Sequence, residues 1–554
     1  MVGQYGGPDS VAGPGFGPLT VRPVSPPGGL ALLLGAMALM DTHVATAEGP
    51  VEGQRGRRSR RGTISWRGIP YAAPPVGPLR LRAPQPVQPW TDTLACHDYG
   101  PSPIQDKMFT ARGDGTFQPR SEDCLTLNVF APDTVAAAGR PVMVFNYGGA
   151  YILGGSATPI YDGAFLARAR DVIVVTVNYR VGPLGFLDLS DYSTPERPFD
   201  VNCGLRDMVA ALEWVQRNIA SFGGDPDRVT VFGESAGGAA VLTLLSTPSA
   251  QGLFSRAIAQ SPAADLVVHR ESSELIADEF VRQVVDPRRR VGPERTEPFH
   301  TPDQVARIID GADPFELLGA GNRVLAFTRQ AQLSDPMPFA PVVDGEYLPQ
   351  SPVAAAIGGR THRVPLIAGS NLDEGELFAR FWSILPEPAQ FLVGVHDPEV
   401  REELARLYPG TRDEVRLSAD AVFWIPTSLF AEHHAKHSPT YVYRYDYSVR
   451  ALKLSGIGAT HATELLAIFG IYRHPIGVGL AALGSWGSTK RITATMQSLW
   501  TWFARTGVPS EQWPPYSIDD RRVLLIDDPA RVVDDPDGAR RAAWERVHLE
   551  LRRE

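Results

Sequence analysis

The stretch Val229-Thr230-Val231-Phe232-Gly233-Glu234-Ser235-Ala236-Gly237-Gly238-Ala239-Ala240-Val241-Leu242 decides the fold. An apolar, β-branched run stops at a glycine, a serine follows inside a Gly-X-Ser-X-Gly pentad, and a small-residue helical run starts at once. This is a strand turning sharply into a helix with a serine at its apex, the nucleophile elbow. Glycine is needed on both sides because the turn is so tight that side chains two residues away would strike the adjoining strand or helix. Ser235 alone in the chain meets both requirements.

Just upstream, Leu205–Phe222 carries Met208, Leu212, Val215 and Ile219 on one helical face and stops at Gly223-Gly224-Asp225-Pro226, which predicts a helix feeding the elbow strand. Val142–Asn146 and Val172–Val177 are continuous apolar runs like Val229–Phe232, of the kind buried on both faces of a parallel sheet. Further strands are predicted at Val364–Ala368 and Thr440–Tyr445. Strand-like and helical runs alternate from Val44 onward. The expected class is α/β, with a central, mostly parallel sheet flanked by helices and lid-like insertions.

No internal repeat and no Pro/Gly linker after residue 50 divides the chain, so 41–554 reads as a single catalytic domain. Residues 1–40 read as a disordered, Gly/Pro-rich segment. Within it the apolar stretch Leu30–Met40 is too short to span a membrane. With Ala45-Thr46-Ala47 it has the form of a secretory signal, yet cleavage after Ala47 would enter the first strand. An over-extended start, with translation from Met37 or Met40, is the favoured account of the two. The expected location is therefore cytoplasmic, with secretion the alternative if 30–47 is a signal.

Among the 554 residues, 43% are hydrophobic and 21% charged, ordinary values for a globular enzyme-sized chain. The net charge of −9 is dispersed, which argues for solubility and against a nucleic-acid partner. Arg55–Arg61 and Arg288–Arg290 lack interleaved aromatics and read as a solvated hairpin turn and part of a surface insertion over 286–297. Three cysteines, Cys96, Cys124 and Cys203, exclude a disulfide-built scaffold and show no zinc-ligand spacing. His433, His434 and His437 have no accompanying ligand set and read as a solvated helix end. No metal and no cofactor is expected.

A serine hydroxyl needs an imidazole base, and that imidazole needs a supporting carboxylate, in the chain order serine, acid, histidine. The loop Gly369–Gly375 offers Asp373 and Glu374 side by side, and spacing alone does not separate them. Among the later histidines, His461 is approached by the small residues Gly456–Thr460 and followed by a resuming helix at Glu464. Acyl transfer also needs N–H donors for an oxyanion. Tyr147-Gly148-Gly149-Ala150-Tyr151 supplies a glycine-rich turn after the Val142–Asn146 strand, and the N–H of Ala236 is the remaining donor.

Taken together, these blocks resemble the type B carboxylesterases, the family of cholinesterases and bacterial para-nitrobenzyl esterases. The likeness runs from Val44 to Tyr516 through RGIPYAAPPVGPLRLRAPQP (67–86), EDCLTLNVFAP (122–132), VNYRVGPLGFL (177–187), VFGESAGG (231–238) and FARTGVPS (503–510). It implies an α/β-hydrolase fold and a serine carboxylic ester hydrolase acting through an acyl-enzyme on a small-molecule ester. By the same resemblance the nucleophile is Ser235, the acid Glu374, the base His461, and the oxyanion donors Gly149, Ala150 and Ala236. Cys96 and Cys124 match the family's first disulfide pair, and Cys203 is left without a partner. Glu234 matches a buried acid near the leaving-group site, with a hydrogen-bonded core carboxylate the plainer role.

The chain departs from the family pattern at Ala150, Ala462 and Pro262, each where glycine is usual. The loop between Cys96 and Cys124 carries Tyr99, Phe109 and Phe117 but no tryptophan, which weakens the case for a choline ester. Two alternatives accompany this reading. One is a non-hydrolytic adhesion or scaffold protein on the same fold, which the filled triad positions disfavour. The other is amide or carbamate hydrolysis by the same residues.

Overall fold

The computed structural model describes residues 38–551 except 114, 289–299, 331–334, 336, 382–394, 396 and 474. Most of the Gly/Pro-rich N-terminal segment, including Leu30–Gly35, and most of the 286–297 insertion lie outside the described residues. The described chain begins beside the sheet: the Met40 N–H donates to the Asp133 carbonyl, and His43–Ala45 pairs with Pro50–Glu52.

The apolar runs predicted as strands lie in one eleven-stranded sheet. In chain order its strands are β1 (Gln54–Arg55), β2 (Thr63–Pro70), β3 (Thr126–Pro132), β4 (Arg140–Asn146), β5 (Ile173–Val177), β6 (Gly224–Glu234), β7 (Arg256–Gln260), β8 (Leu366–Asn371), β9 (Thr440–Tyr445), β10 (Arg522–Ile526) and β11 (Arg531–Asp534). Their spatial order is 1-2-3-5-4-6-7-8-9-10-11. From β5 through β10 neighbours run parallel, while the flanking pairs are antiparallel. β4 and β5 are buried along their whole length, as the apolar runs at their centres require.

Register is what gathers the functional loops. Asn146 of β4 lies opposite Gly233 of β6, so the glycine-rich turn and the serine turn leave adjacent parallel strands at the same edge. Asn371 of β8 lies opposite Tyr445 of β9, which brings the acid loop to that edge as well. Ligand sites of open α/β sheets form outside the carboxyl ends of the strands. Beneath this edge Phe145 packs on Phe232 and Phe469 with ring centroids 4.9 and 5.0 Å apart. Truncating such a ring to alanine costs about 3–5 kcal/mol.

The helix predicted ahead of the elbow is α1 (Cys203–Asn218), extended by a 3₁₀ turn to Phe222 and stopped by Gly223 at φ 79°. The helix behind the elbow is α2 (Ala236–Leu245). Later helices that bear on the site are α3 (Gly375–Phe381), α4 (Thr411–Ala419), α5 (Ile425–His434), α6 (Trp486–Thr506) and α7 (Gly538–Leu551).

Two sequence expectations are corrected. Cys96 and Cys124 are not bridged; both are buried free thiols, as is Cys203. The Cys96 carbonyl accepts from the Arg67 N–H, whereas the carbonyl of Leu125, next to Cys124, accepts from Tyr71. The two cysteines thus lie beside different points of the chain, Cys96 against Arg67 within β2 and Cys124 beside the segment that leaves β2 after Pro70. Pro103 and Ile104, not Cys96, line the small cavity beside Cys124. Burial pushes both thiols up, that of Cys96 to about 12. Second, His434 is not solvated. It is fully buried, Nδ1 meeting the Thr361 hydroxyl at 2.8 Å and Nε2 the Val364 carbonyl at 2.9 Å, a structural tie between α5 and the segment entering β8.

Candidate active site

At the apex between β6 and α2, Ser235 adopts φ 60° and ψ −127°, a backbone conformation that a side chain disfavours. It is held there from both sides. The Ser235 N–H donates to the Gln260 carbonyl at 2.9 Å, and its own carbonyl accepts from Ala239 at 2.8 Å. The need for glycine is equally concrete: a Cβ on Gly237 would sit 2.1 Å from the Asn146 carbonyl oxygen, and one on Gly233 would sit 2.4 Å from that of Gly237.

The glycine-rich turn lies against this elbow. A Cβ on Gly148 would be 2.6 Å from the Glu234 carbonyl oxygen and 2.8 Å from Ser235 Cβ. Gly149, Ala150 and Tyr151 follow with φ of 124°, 51° and 59°, a run of positive φ that reverses the chain. Among the described residues the N–H groups of Gly149, Ala150 and Ala236 donate to no protein acceptor. The turn is fastened by a reciprocal pair: Tyr147 Oη donates to the Tyr179 carbonyl at 2.8 Å, Tyr179 Oη to the Tyr147 carbonyl at 2.6 Å, and the rings stack 4.3 Å apart.

Asp373 and Glu374, inseparable in the sequence, have different partners. Glu374 Oε2 meets His461 Nδ1 at 2.6 Å while its Oε1 accepts the Asn371 N–H at 2.6 Å. Asp373 Oδ2 instead accepts the Ala459 N–H at 2.8 Å and so pins the loop that carries His461. With Nδ1 on Glu374, Nε2 is the nitrogen free to take a proton. That Nε2 stands 3.1 Å from Glu234 Oε1, out of hydrogen-bond alignment, and no hydrogen bond joins His461 to the Ser235 hydroxyl.

The sequence reading missed several residues of the site. Glu464, fully buried behind His461, accepts from Asn371 Nδ2 at 2.6 Å and from Gln260 Nε2 at 3.5 Å. Asn371 also donates from Nδ2 to the Thr460 carbonyl at 2.8 Å, so one side chain links the acid loop, the histidine loop and the second carboxylate. The signal for Glu464 was present: it follows His461 by three residues in a run otherwise lacking charge. Phe378 and Phe423 also contact the imidazole, each with centroids 4.8 Å from it.

Three carboxylates and an imidazole are therefore buried together. Burial pushes Glu234 up to about 8, opposed by the charge of His461. Burial, reinforced by Glu374, raises Glu464 to about 7 against the Asn371 hydrogen bond. For His461 burial acts downward, but Glu234 and then Glu374 outweigh it and hold the imidazolium up to about 9. A cluster of this kind retains protons near neutrality and stabilises positive charge on the ring. Among the described residues no group of side chains has the makings of a metal site, and no helix is long and apolar enough to cross a membrane.

The sequence profile described as the Carboxylesterase family matches residues 40–406 and 410–544. The para-nitrobenzyl esterase of Bacillus subtilis (strain 168) is 35% identical over 508 residues, covering 90% of this chain and 97% of that one. The fumonisin B1 esterase of Sphingopyxis macrogoltabida is 34% identical over 505 residues, 85% of this chain and 84% of that one. A solved structure of a PNB esterase superposes with a TM-score of 0.79 at 35% identity, covering 91% of this chain and 99% of that one. The sheet, its helices and these likenesses are those of the α/β-hydrolase fold.

Proposed function

Because the chain belongs to the carboxylesterase family and is a carboxylesterase, we propose that it cleaves small-molecule carboxylic esters through Ser235, His461 and Glu374 by way of an acyl-enzyme. The observation that carries this reading is the 2.6 Å contact of Glu374 with His461 Nδ1, at the sheet edge where Ser235 occupies the strained elbow.

On substrate binding the imidazole turns from Glu234 toward Ser235, since catalytic hydrogen bonds often close only in the Michaelis complex. His461 Nε2 takes the Ser235 proton as Oγ bonds to the ester carbonyl carbon. The carbonyl oxygen becomes an oxyanion held by the N–H groups of Gly149, Ala150 and Ala236. Glu374 stabilises the imidazolium and keeps the ring in its tautomer. Collapse of the intermediate breaks the bond to the alkoxy oxygen, which leaves as alcohol with the proton from Nε2. Water, deprotonated at Nε2, then attacks the acyl-enzyme; the acid departs and Ser235 regains its proton.

The direct test is Ser235→Ala, assayed with a short-chain p-nitrophenyl ester and checked for folding by circular dichroism. Loss of turnover with an unchanged spectrum is expected; retained turnover would assign the nucleophile elsewhere. The matching anilide, assayed alongside, reads whether amides are also substrates.

A further inference from the structure

A continuous helix from Thr411 to His434 contains one π turn, Asp420–Trp424, between α4 and α5. The cause is local. Pro426 has no N–H for the carbonyl four residues back, and its ring crowds that carbonyl; widening the turn ahead of it relieves both. The widened turn carries Phe423, whose buried ring tilts 40° to the His461 imidazole at 4.8 Å. Phe378, from α3, meets the same imidazole at 4.8 Å and 50°, and the two phenyl rings stack on one another at 5.8 Å and 11°. With Ala263 and Ala419 these rings form a small apolar cluster separate from the main core.

Both ends of the π turn are fastened to the C-terminal helix. Asp420 Oδ2, at the start of the turn, accepts from Arg540 Nη1 at 2.8 Å and from the Tyr408 hydroxyl at 2.6 Å, while Trp544 Nε1 donates to the same hydroxyl at 2.9 Å. At the other end the Arg540 guanidinium lies over the Trp424 ring, 5.3 Å from its centroid. An arginine on α7 thus holds a turn whose third side chain after Asp420 bears on the base. Asp420 itself contributes to the lining of a cavity of about 330 Å³ that also borders Glu374, but no hydrogen bond links the two.

We propose that the π turn is a positioning device for His461. Phe423, with Phe378, confines the imidazole to the plane in which Nδ1 stays on Glu374 while Nε2 moves between Glu234 and Ser235, and Asp420 and Arg540 set the height of the turn. Phe423 and Asp420 are positioning residues, not catalytic ones. The inference rests on His461 being the base.

The test compares Phe423→Leu, which keeps apolar volume and loses the ring, with Asp420→Asn, which leaves every residue in contact with the ring intact. Turnover is expressed per site titrated with an organophosphate, at a temperature below each variant's melting midpoint. Both variants are expected to lower kcat by about 10-fold with KM within about 2-fold of the parent, and to broaden the low-field proton resonance of His461 Nδ1–H. A raised KM with unchanged kcat for Phe423→Leu would overturn the proposal by making the ring a substrate wall. Parental kcat in Asp420→Asn would overturn it by detaching the turn from the base. His461→Ala is run in parallel: if that variant stays active, the base assignment has failed, a result separable from failure of the turn.

Discussion

His461 Nε2 lies 3.1 Å from Glu234 Oε1, so the nitrogen required to take the serine proton rests beside the carboxyl of the residue preceding the nucleophile. Both side chains are buried. Burial resists ionisation of Glu234, and among the charges that raise His461 that of Glu234 is the largest. When ionised, Glu234 is therefore the leading charge, ahead of Glu374, in raising the basicity of the imidazole.

Replacing Glu234 with glutamine removes that charge and keeps the shape. The expected outcome is a lower pKa for the base, moving the acidic limb of the kcat/KM profile down by about one pH unit. Initial rates with a p-nitrophenyl ester from pH 5 to 9 read the limb. An unmoved limb would show that the carboxyl is neutral throughout and exerts no field on the ring.

The two adjacent carboxylates should separate sharply. Glu374→Gln loses the charge facing His461 Nδ1 and should lower kcat by about 10²–10⁴-fold. Asp373→Asn weakens only the hydrogen bond to the Ala459 N–H and should cost about 1 kcal/mol of stability with kcat within about 5-fold. Kinetics and urea melts on both variants check this; the opposite ranking would move the acid role to Asp373.

The contrast marks how far the sequence could be read. The strand–serine–helix pattern, the turn after β4 and the loops after β8 and β9 follow from local chemistry, because glycine placement and unbroken apolar runs leave little freedom. The tie between Asp373 and Glu374 is broken only by register: both face the loop after β9, and which one meets residue 459 or 461 depends on how β8 and β9 are aligned. The Cys96–Cys124 pair, implied by resemblance alone, failed for a similar reason: Cys96 directly follows a short strand, Leu94–Ala95, and its backbone is tied to Glu52 and Arg67, a placement that the sequence around it does not reveal. Phe423 was illegible because a π turn displaces it from ordinary helical periodicity, and His434 because burial by a partner segment leaves no trace in a run of histidines.

Glu464 makes the stability of the fold depend on pH in a definite direction. Its folded pKa is raised to about 7 from 4.5, so the folded state holds this proton more tightly than the unfolded chain does. Its contribution is fully present below pH 4.5 and is lost as pH rises toward 7. Glu464→Gln lacks this dependence and can keep its bond from Asn371. Its melting temperature relative to the parent should therefore climb between pH 5 and 8. A constant difference across that range would mean that the carboxyl titrates alike in both states.

The free thiols give a simple check on the corrected cysteine assignment. With no disulfide among Cys96, Cys124 and Cys203, excess dithiothreitol should leave the melting temperature unchanged. Because all three are buried, a thiol reagent should label them only after unfolding. A reductant-sensitive melt would restore the bridge.

Gly148 isolates the oxyanion turn from the triad. It donates no catalytic side chain, yet an added Cβ would meet the Glu234 carbonyl oxygen at 2.6 Å and Ser235 Cβ at 2.8 Å, atoms of the elbow that cannot yield. The turn must retreat instead, carrying the Gly149 and Ala150 amides away from the point where charge develops. Losing the alignment of one such donor costs about 10²–10³ in kcat. Gly148→Ala should therefore depress kcat on that scale, while the hydrogen bond of Glu374 to His461 is untouched and the His461 Nδ1–H resonance remains in place. Parental kcat in this variant would mean that the oxyanion is stabilised by donors outside the turn; a vanished resonance would mean that the substitution had disturbed the triad instead.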